Sequence, residues 1–260
     1  MRRVLFQVHL WVGIGLGLYI FIISLSGSLI VFRRELDRTI CPGLTVMSPS
    51  GPVATASCEP EFVTWMAEFH DHLGGGRTGL FINGLGALAV VITCVTGAII
   101  WWPGSKRWRR SLTLHRGVSA RRFIRDLHNV LGFWLLLLIF MWALTGVYFA
   151  FPNPFLALSD ALAGGNIATP ASRFLDASIE WLVRLHFGRS FGLAIEVLWV
   201  ILGLAPCALF VTGALMWWTR VLRPALDRDA PTCGSGNTPA AADLPAATVE
   251  CPRRDFHRAR

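Results

Sequence analysis

The sequence predicts an all-α integral membrane protein, a four-helix transmembrane bundle built from two helical hairpins that repeat in parallel. Of its 260 residues, 53% are hydrophobic and 15% are charged, which is too apolar for an ordinary soluble domain. Four nearly uncharged stretches reach the length of about 20 residues that a membrane-spanning helix needs. The residues around them also recur from one half of the chain to the other. The predicted spans are 10–32, 79–102, 128–151 and 192–218.

The internal repeat is clearest around four histidines near the ends of the spans. His9 and His128 are each followed by glycines 4 and 18 residues later. His70 and His186 each precede a Thr-Gly pair by 26 residues, and a Trp-Trp pair follows. Because both halves enter from the same side, the pseudo-symmetry axis is expected along the membrane normal. The equivalent positions are Gly13 and Gly132, Ser26-Gly27 and Thr145-Gly146, Thr96-Gly97 and Thr212-Gly213, and Trp101-Trp102 and Trp217-Trp218.

The distribution of basic residues predicts the orientation of the chain. Of the 24 Lys and Arg residues, 17 fall before the first span, between the second and third, or after the fourth. The positive-inside rule therefore places both termini in the cytoplasm. The net charge of +8 is interpreted as the result of these basic residues, which set the topology and face anionic membrane lipid. It is not interpreted as a nucleic-acid interface. Residues 1–222 form the predicted membrane domain, and 223–260 a disordered cytoplasmic tail.

Short helices are expected outside the spans. Residues 33–38 should continue the first span into the headgroup layer, and residues 60–69 should form an amphipathic helix that leads to His70. The glycine run at 74–76 should then break the chain before the second span. A further helix is expected around 120–127, before the third span.

The cysteines support neither a zinc ribbon nor a covalently attached haem. The sequence contains no CxxC and no CxxCH motif, which these sites require. Cys41 and Cys58 fall in the first outer loop, where a disulfide and two free thiols are both compatible with the sequence. Cys94 and Cys207 fall within spans and are interpreted as packing residues.

The four histidines are predicted to be the axial ligands of two b-type haems. A bis-histidine haem needs two neutral imidazoles that face each other across an apolar slot. His9 and His128 should lie at one depth near the cytoplasmic face, and His70 and His186 at another near the outer face. Helical rise puts the two layers about 30 Å or more apart. The alternative is that each is an ordinary interfacial residue, and His72 competes with His70 as outer ligand.

Several residues near the histidines allow two interpretations. Gly13 and Gly132 either leave room for a flat macrocycle or allow close helix packing. The Trp-Trp pairs are expected to anchor the spans at the membrane interface, with an electron relay as the alternative. Glu196 either takes up protons or organises the outer haem, or else it lies in the headgroup layer. Four hydroxyl residues are expected to bond to helical carbonyls or to tie helices together: Ser26, Thr96, Thr145 and Thr212.

Longer stretches around these positions carry a resemblance to a known family. They include His9–Gly13, Ser26–Asp37, Phe69–Asp71, Asp126–Gly132 and Leu185–Gly188. Over residues 1–222 the chain resembles the PepSY-associated transmembrane helix family, which includes iron-regulated membrane proteins and ferric-siderophore reductases. The resemblance implies a di-haem protein that passes electrons across the inner membrane to reduce periplasmic ferric siderophores. Reduction would release the metal because siderophores hold Fe(III) far more tightly than Fe(II).

Other functions remain compatible with the same residues. No dinucleotide-binding fingerprint occurs in a βαβ context, so the electron donor would be a quinol or a separate redox protein. A quinol-linked b-type cytochrome with another acceptor would use the same four histidines. A transport or scaffold component without redox chemistry would need none of them. The sequence therefore favours a ferric-siderophore reductase-type oxidoreductase, with two alternatives.

Overall fold

The computed structural model describes residues 1–40, 46–48, 51–53, 61–102, 112–115, 117–163, 169–188 and 192–224. Cys41, Cys58 and nearly all of the predicted tail lie outside the described residues. The described elements are α1 (Arg2–Gly15), α2 (Gly17–Ile30), α3 (Arg33–Ile40), β1 (Val46–Ser48), β2 (Gly51–Val53), α4 (Glu61–His72), α5 (Gly76–Trp101), α6 (Ala120–Ala150), α7 (Asn153–Leu162), α8 (Pro170–Phe187), α9 (Leu193–Gly203), α10 (Ala205–Trp217) and a π-helical turn (Trp218–Leu222). The two strands form an antiparallel hairpin.

Among the described residues, three helical segments are long and apolar enough to cross a membrane. They are α5, α6 and the segment Leu193–Leu222, which comprises α9, α10 and the π-helical turn. These segments correspond to the second, third and fourth predicted spans. The predicted helix around 120–127 is the first part of α6, which runs without a break to Ala150.

The first predicted span differs from a single straight helix. It consists of α1 and α2, which together have the length and apolarity of a span but meet at an angle of 56°. Gly15 and Gly17 flank the bend at Leu16, and glycine lowers the cost of leaving helical geometry. Gly17 also packs directly against Phe210, since an added Cβ would lie 2.0 Å from its ring. The bend therefore lies next to a close contact between α2 and α10.

The long helices pack around one another in a ring. Helix α5 packs against α6 and α1, and α10 packs against α6 and against the α1–α2 pair. In this order α1 lies diagonally across from α6, and α5 lies diagonally across from α10. Residues on α1 and α6 can therefore face each other across the centre, with α5 and α10 on either side.

The buried positions of this helical core include many polar side chains beside small and apolar ones, and its surface is apolar. Large hydrophobic side chains are exposed along the long helices, such as Leu137 at 81% and Trp134 at 69%. This inverted distribution suits a lipid environment, where polar side chains tie helices together and apolar ones meet the acyl chains. The buried polar and charged residues are Ser26, Ser28, Thr96, Thr145, Ser172, Glu196 and Thr212.

Short helices lie at one end of the core, as the sequence predicts for residues 33–38 and 60–69. The second of these, α4, extends to His72, so that His70 lies in its last turn. The side-chain amide of Asn83 donates to the carbonyl oxygens of His70 and Asp71 at 2.9 and 3.0 Å, which fixes the end of α4 against α5. The chain then reverses through the glycine run. At Gly79 an added Cβ would lie 1.6 Å from the carbonyl oxygen of His72.

Candidate functional site

Each of the four predicted ligand histidines contacts a buried hydroxyl residue in the same half of the chain. In every case the hydroxyl comes directly before a glycine, and the ring approaches through its Nδ1 atom. The four pairs are His9 with Thr96, His70 with Ser26, His128 with Thr212, and His186 with Thr145. The histidine of one hairpin helix is thus tied to the hydroxyl-glycine pair of the other.

At one end of the core, which we call the His9 end, the histidines belong to long helices. Nδ1 of His9, on α1, lies 3.1 Å from the carbonyl oxygen of Thr93 and 3.3 Å from the hydroxyl of Thr96, both on α5. Nδ1 of His128, on α6, lies 2.9 Å from the hydroxyl of Thr212 on α10. The imidazoles of His9 and His128 are also close enough to interact electrostatically. These two rings therefore lie in one layer, as the sequence predicts.

At the other end, which we call the His70 end, the histidines lie at the ends of separate helices outside the candidate membrane spans. Nδ1 of His70, on α4, lies 3.0 Å from the hydroxyl of Ser26 on α2. Nδ1 of His186, on α8, contacts the hydroxyl of Thr145 on α6. Thr145 follows His128 by 17 residues on one unbroken helix, which corresponds to about 25 Å. The layers are therefore closer than expected from the sequence, because α4 and α8 direct their histidines back toward the core.

The hydroxyl groups are themselves oriented by the backbone. Thr212 donates to the carbonyl oxygens of Ala208 and Leu209 at 2.9 and 3.0 Å, one turn back on its own helix. Equivalent bonds orient Ser26, Thr96 and Thr145. A hydroxyl that donates its single hydrogen to a carbonyl still offers its oxygen as an acceptor. Both interpretations made from the sequence are thus correct, since these residues bond to helical carbonyls and also join two helices.

The glycine after each hydroxyl brings the histidine ring close to the helix backbone in three of the four pairs. A Cβ added at Gly27 would lie 2.8 Å from Cε1 of His70, and one at Gly97 would lie 3.0 Å from Cε1 of His9. At Gly213 the corresponding distance to His128 is 3.5 Å. Gly146 differs, because its added Cβ would meet Ala87 at 3.2 Å. The internal repeat of the sequence marked the four hydroxyl-glycine pairs. The histidine that each pair contacts became evident only from the packing of the helices.

Gly13 and Gly132 do not mediate close helix packing. An added Cβ at Gly13 has no neighbour within 4 Å among the described residues, and one at Gly132 meets Leu209 at 3.8 Å. Both glycines lie one turn beyond their histidines, on the helices that face each other across the core. The space beside Gly13 is therefore open in the described part of the chain, whereas a side chain added at Gly132 would contact Leu209 on α10.

His70 and His72 have separate environments, although they are two residues apart. His72 is one-third exposed, and its Nδ1 lies 3.1 Å from the carboxylate of Glu68. His70 instead points into the protein, and burial lowers the pKa of its imidazole while the neighbouring Asp71 opposes this change. Of the two, His70 is the one that contacts a repeated hydroxyl-glycine pair.

The two Trp-Trp pairs are split between the interior and the surface. Trp102 and Trp218 are exposed at 54% and 48%, as expected for interfacial anchors. The indole nitrogens of Trp101 and Trp217 are buried and have no hydrogen-bond partner among the described residues. The Trp101 ring packs against Phe133 on α6, with centroids 4.7 Å apart.

Two carboxylates toward the His70 end also have a buried oxygen without a hydrogen-bond partner in the described part of the chain. Glu196 is 5% exposed and lies in the first turn of α9, so its side chain faces the protein interior. Glu35 on α3 is the second. The orphaned groups at the two ends thus have opposite chemistry, donors at the His9 end and acceptors toward the His70 end.

The apolar exterior, the buried polar side chains and the long apolar helices define a helical membrane protein. Three overlapping segments, residues 6–59, 54–173 and 163–220, match the family described as the PepSY-associated TM region. The chain therefore belongs to the PepSY-associated TM family, as the resemblance in its sequence indicated. No curated protein matches the chain.

Proposed function

We propose that the protein is a di-haem b-type electron carrier of the bacterial inner membrane that reduces periplasmic ferric siderophores and so releases Fe(II). The observation that carries this proposal is the common setting of four histidines, each held through Nδ1 by an oriented hydroxyl. In this proposal the bent α1–α2 pair crosses the membrane as a fourth span. The chain then forms a bundle of two parallel-repeat hairpins, with both termini in the cytoplasm.

The hydroxyl contacts support a ligand role through the tautomer they favour. Because Ser26, Thr96, Thr145 and Thr212 can donate their hydrogens to backbone carbonyls, their oxygens accept from Nδ1–H of the histidines. An imidazole that donates from Nδ1 keeps a lone pair on Nε2, which is the arrangement found in metal-bound histidines whose other nitrogen is hydrogen-bonded. All four rings would thus be ready to bind iron without reorientation.

The residues at the His9 end fit a haem well. His9 and His128 would supply the two Nε2 ligands from diagonally placed helices, and the open space beside Gly13 would admit a flat ring. At the His70 end, His70 and His186 would form the second ligand pair. In both layers one ligand comes from each half of the chain, so that binding would also join the two hairpins.

The chain's own residues would position the cofactors and exclude water from them. Haem held by His9 and His128 and by His70 and His186 would supply one-electron chemistry in both layers. The His9 end would then be the side of the electron donor, and the His70 end the side of the ferric chelate. The buried hydroxyls would hold the imidazoles in place, and the apolar helices would shield both layers. Each Fe(III) accepts one electron to become Fe(II), which the siderophore binds weakly. The donor would be a quinol or a separate redox protein.

The first test is a reduced-minus-oxidised absorption spectrum of the detergent-purified protein, with haem counted per chain. We expect a b-type spectrum and two haems per chain. Reduction of a ferric siderophore by the dithionite-reduced protein, followed by trapping of Fe(II), then tests the substrate. Retention of haem without this reaction would favour the quinol-linked cytochrome, and a colourless, well-folded protein from haem-supplied cells would contradict both redox functions.

A further inference from the structure

Two tryptophans with a buried indole nitrogen have equivalent positions in the two halves of the chain, at the His9 end. Trp101 follows Gly97 by four residues, and Trp217 follows Gly213 by four. Residues four apart on a helix lie on the same face, one turn from each other. Since Gly97 and Gly213 are the glycines nearest the rings of His9 and His128, each tryptophan lies on the face that meets a histidine.

Both indole N–H groups lack a hydrogen-bond partner among the described residues, although their nitrogens are buried. The indole nitrogen donates one hydrogen bond and cannot accept. Buried polar groups in folded proteins are almost always hydrogen-bonded. Two donors at equivalent positions, with no partner among the described residues, are therefore suited to a bound acceptor. An interfacial anchor would instead direct its N–H outward, as the exposed Trp102 and Trp218 can.

The charges near Trp101 favour an anionic acceptor. The guanidinium of Arg2 donates to the carbonyl oxygen of Trp102 at 2.8 Å, which holds a cation next to the Trp101 turn. Arg220 lies in the π-helical turn that follows Trp217. Charged acceptors form stronger hydrogen bonds than neutral ones, and two separate donors suit a group with two carboxylates.

We propose that Trp101 and Trp217 form a carboxylate-binding site at the His9 end, and that their indole N–H groups bind the propionates of the haem held by His9 and His128. This inference rests on the proposed function. The two tryptophans would then be positioning residues that limit rotation of the haem ring, whereas the two histidines would bind its iron. A phosphate of an anionic lipid headgroup has the same acceptor chemistry and is the competing occupant.

The test combines Trp101→Phe/Trp217→Phe with a change in the ligand. The full-length apoprotein, in a His70→Ala/His186→Ala background that leaves the His9 end, is titrated with haem b and with its dimethyl ester, whose propionates are uncharged. We expect the affinity of the tryptophan variant for haem b to be lower by about tenfold for each indole removed. We expect wild-type tryptophans to prefer haem b over the ester and the variant to lose that preference. The matched control is Trp102→Phe/Trp218→Phe, which should bind both ligands as the background does.

The midpoint potential gives a second readout, because removing donors from the propionates changes the charge felt by the iron. A shift in the tryptophan variant with haem b, and none with the ester, supports the site even if affinity is hard to measure. Equal losses for both ligands would overturn the proposal, as would unchanged affinity and potential. A loss seen in nanodiscs of phosphatidylglycerol but not phosphatidylcholine would assign the site to lipid instead. Failure of the unsubstituted chain to bind any haem would instead contradict the proposed function.

Discussion

The two ends of the helical core present histidines in the same local setting but on different kinds of helix. At the His9 end, His9 and His128 lie on α1 and α6 and meet hydroxyls on α5 and α10. At the His70 end, His70 and His186 lie on α4 and α8, which precede the long helices, and meet hydroxyls on α2 and α6. The repeated unit is therefore the contact between a ring and a hydroxyl-glycine pair, independent of the helix that carries the histidine.

The surroundings of the rings then distinguish the two ends. Among the described residues, indole nitrogens without a hydrogen-bond partner lie at the His9 end, on Trp101 and Trp217, and carboxylate oxygens without one lie toward the His70 end, on Glu35 and Glu196. Donors favour anionic groups, and carboxylates favour cations or protons. The comparison indicates that a duplicated chain can keep one histidine-hydroxyl contact at both ends while the polar groups around it differ.

The largest effect is expected from removing a histidine at one end. His128→Ala should lose the haem of the His9 end and keep that of the His70 end. His186→Ala should do the reverse, because in the proposal the two layers share no histidine. The combination of both changes should leave a colourless protein. Haem counting and the redox titration of each variant check this expectation, and loss of both haems from either single variant would contradict two independent layers.

Filling the open space at Gly13 should affect the His9 end alone. Gly13→Phe should prevent binding of the haem in that layer, because the added ring would occupy the space beside His9. The His70 end should keep its haem, and the apoprotein should be at least as stable, since a helical glycine is replaced. Val4→Phe is the control, because Val4 lies on the same helix, away from the bend, and is 65% exposed. Two haems per chain in Gly13→Phe would disprove this assignment.

Removing a hydroxyl should weaken its own layer and leave the other unchanged. Thr212→Val deletes the contact to His128, and Thr145→Val deletes the contact to His186. Loss of such a supporting bond lowers metal affinity by about 10- to 100-fold. Haem titration and the potential of each layer provide the measurement. Serine at either position should keep the haem affinity and the potential near those of the unchanged protein, because serine retains the hydroxyl. If the methyl group of threonine acted only by its shape, serine would lower both values as valine does.

Replacing the buried carboxylate of Glu196 should stabilise the fold. The equivalent position in the first half of the chain is Leu80, so Glu196→Leu restores the residue that the repeat has there. Removing an unsatisfied buried polar group should raise the free energy of unfolding by about 1–3 kcal/mol. Thermal unfolding in detergent checks the sign, with Glu196→Gln as the control that keeps the polar group. Destabilisation by Leu would mean that the carboxylate has a stabilising partner.

The smallest effect is expected at His72. Its contact with Glu68 is a partly exposed pair, which contributes about 0–1 kcal/mol. His72→Ala should therefore keep both haems and nearly the same unfolding temperature, whereas His70→Ala should lose one haem. The reverse result would assign the ligand role to His72.

Much of this arrangement could be predicted from local sequence. Long apolar stretches predicted the second, third and fourth spans because a helix must satisfy its own backbone in lipid. The repeat predicted that His9 and His128 share a layer, because equal positions in parallel hairpins have equal depth. The bend at Leu16 could not be predicted, since it depends on the contact between Gly17 and Phe210, which are far apart in the chain.

The sequence by itself determined the composition of the spans, their order and the register of the histidines, because these depend on hydrophobicity and spacing along one helix. The tertiary structure alone decided which hydroxyl each histidine meets, that His70 and not His72 points inward, and which tryptophan of each pair has a buried indole nitrogen. Such choices depend on how helices rotate against their neighbours, and a rotation is set by packing between residues that are distant in sequence.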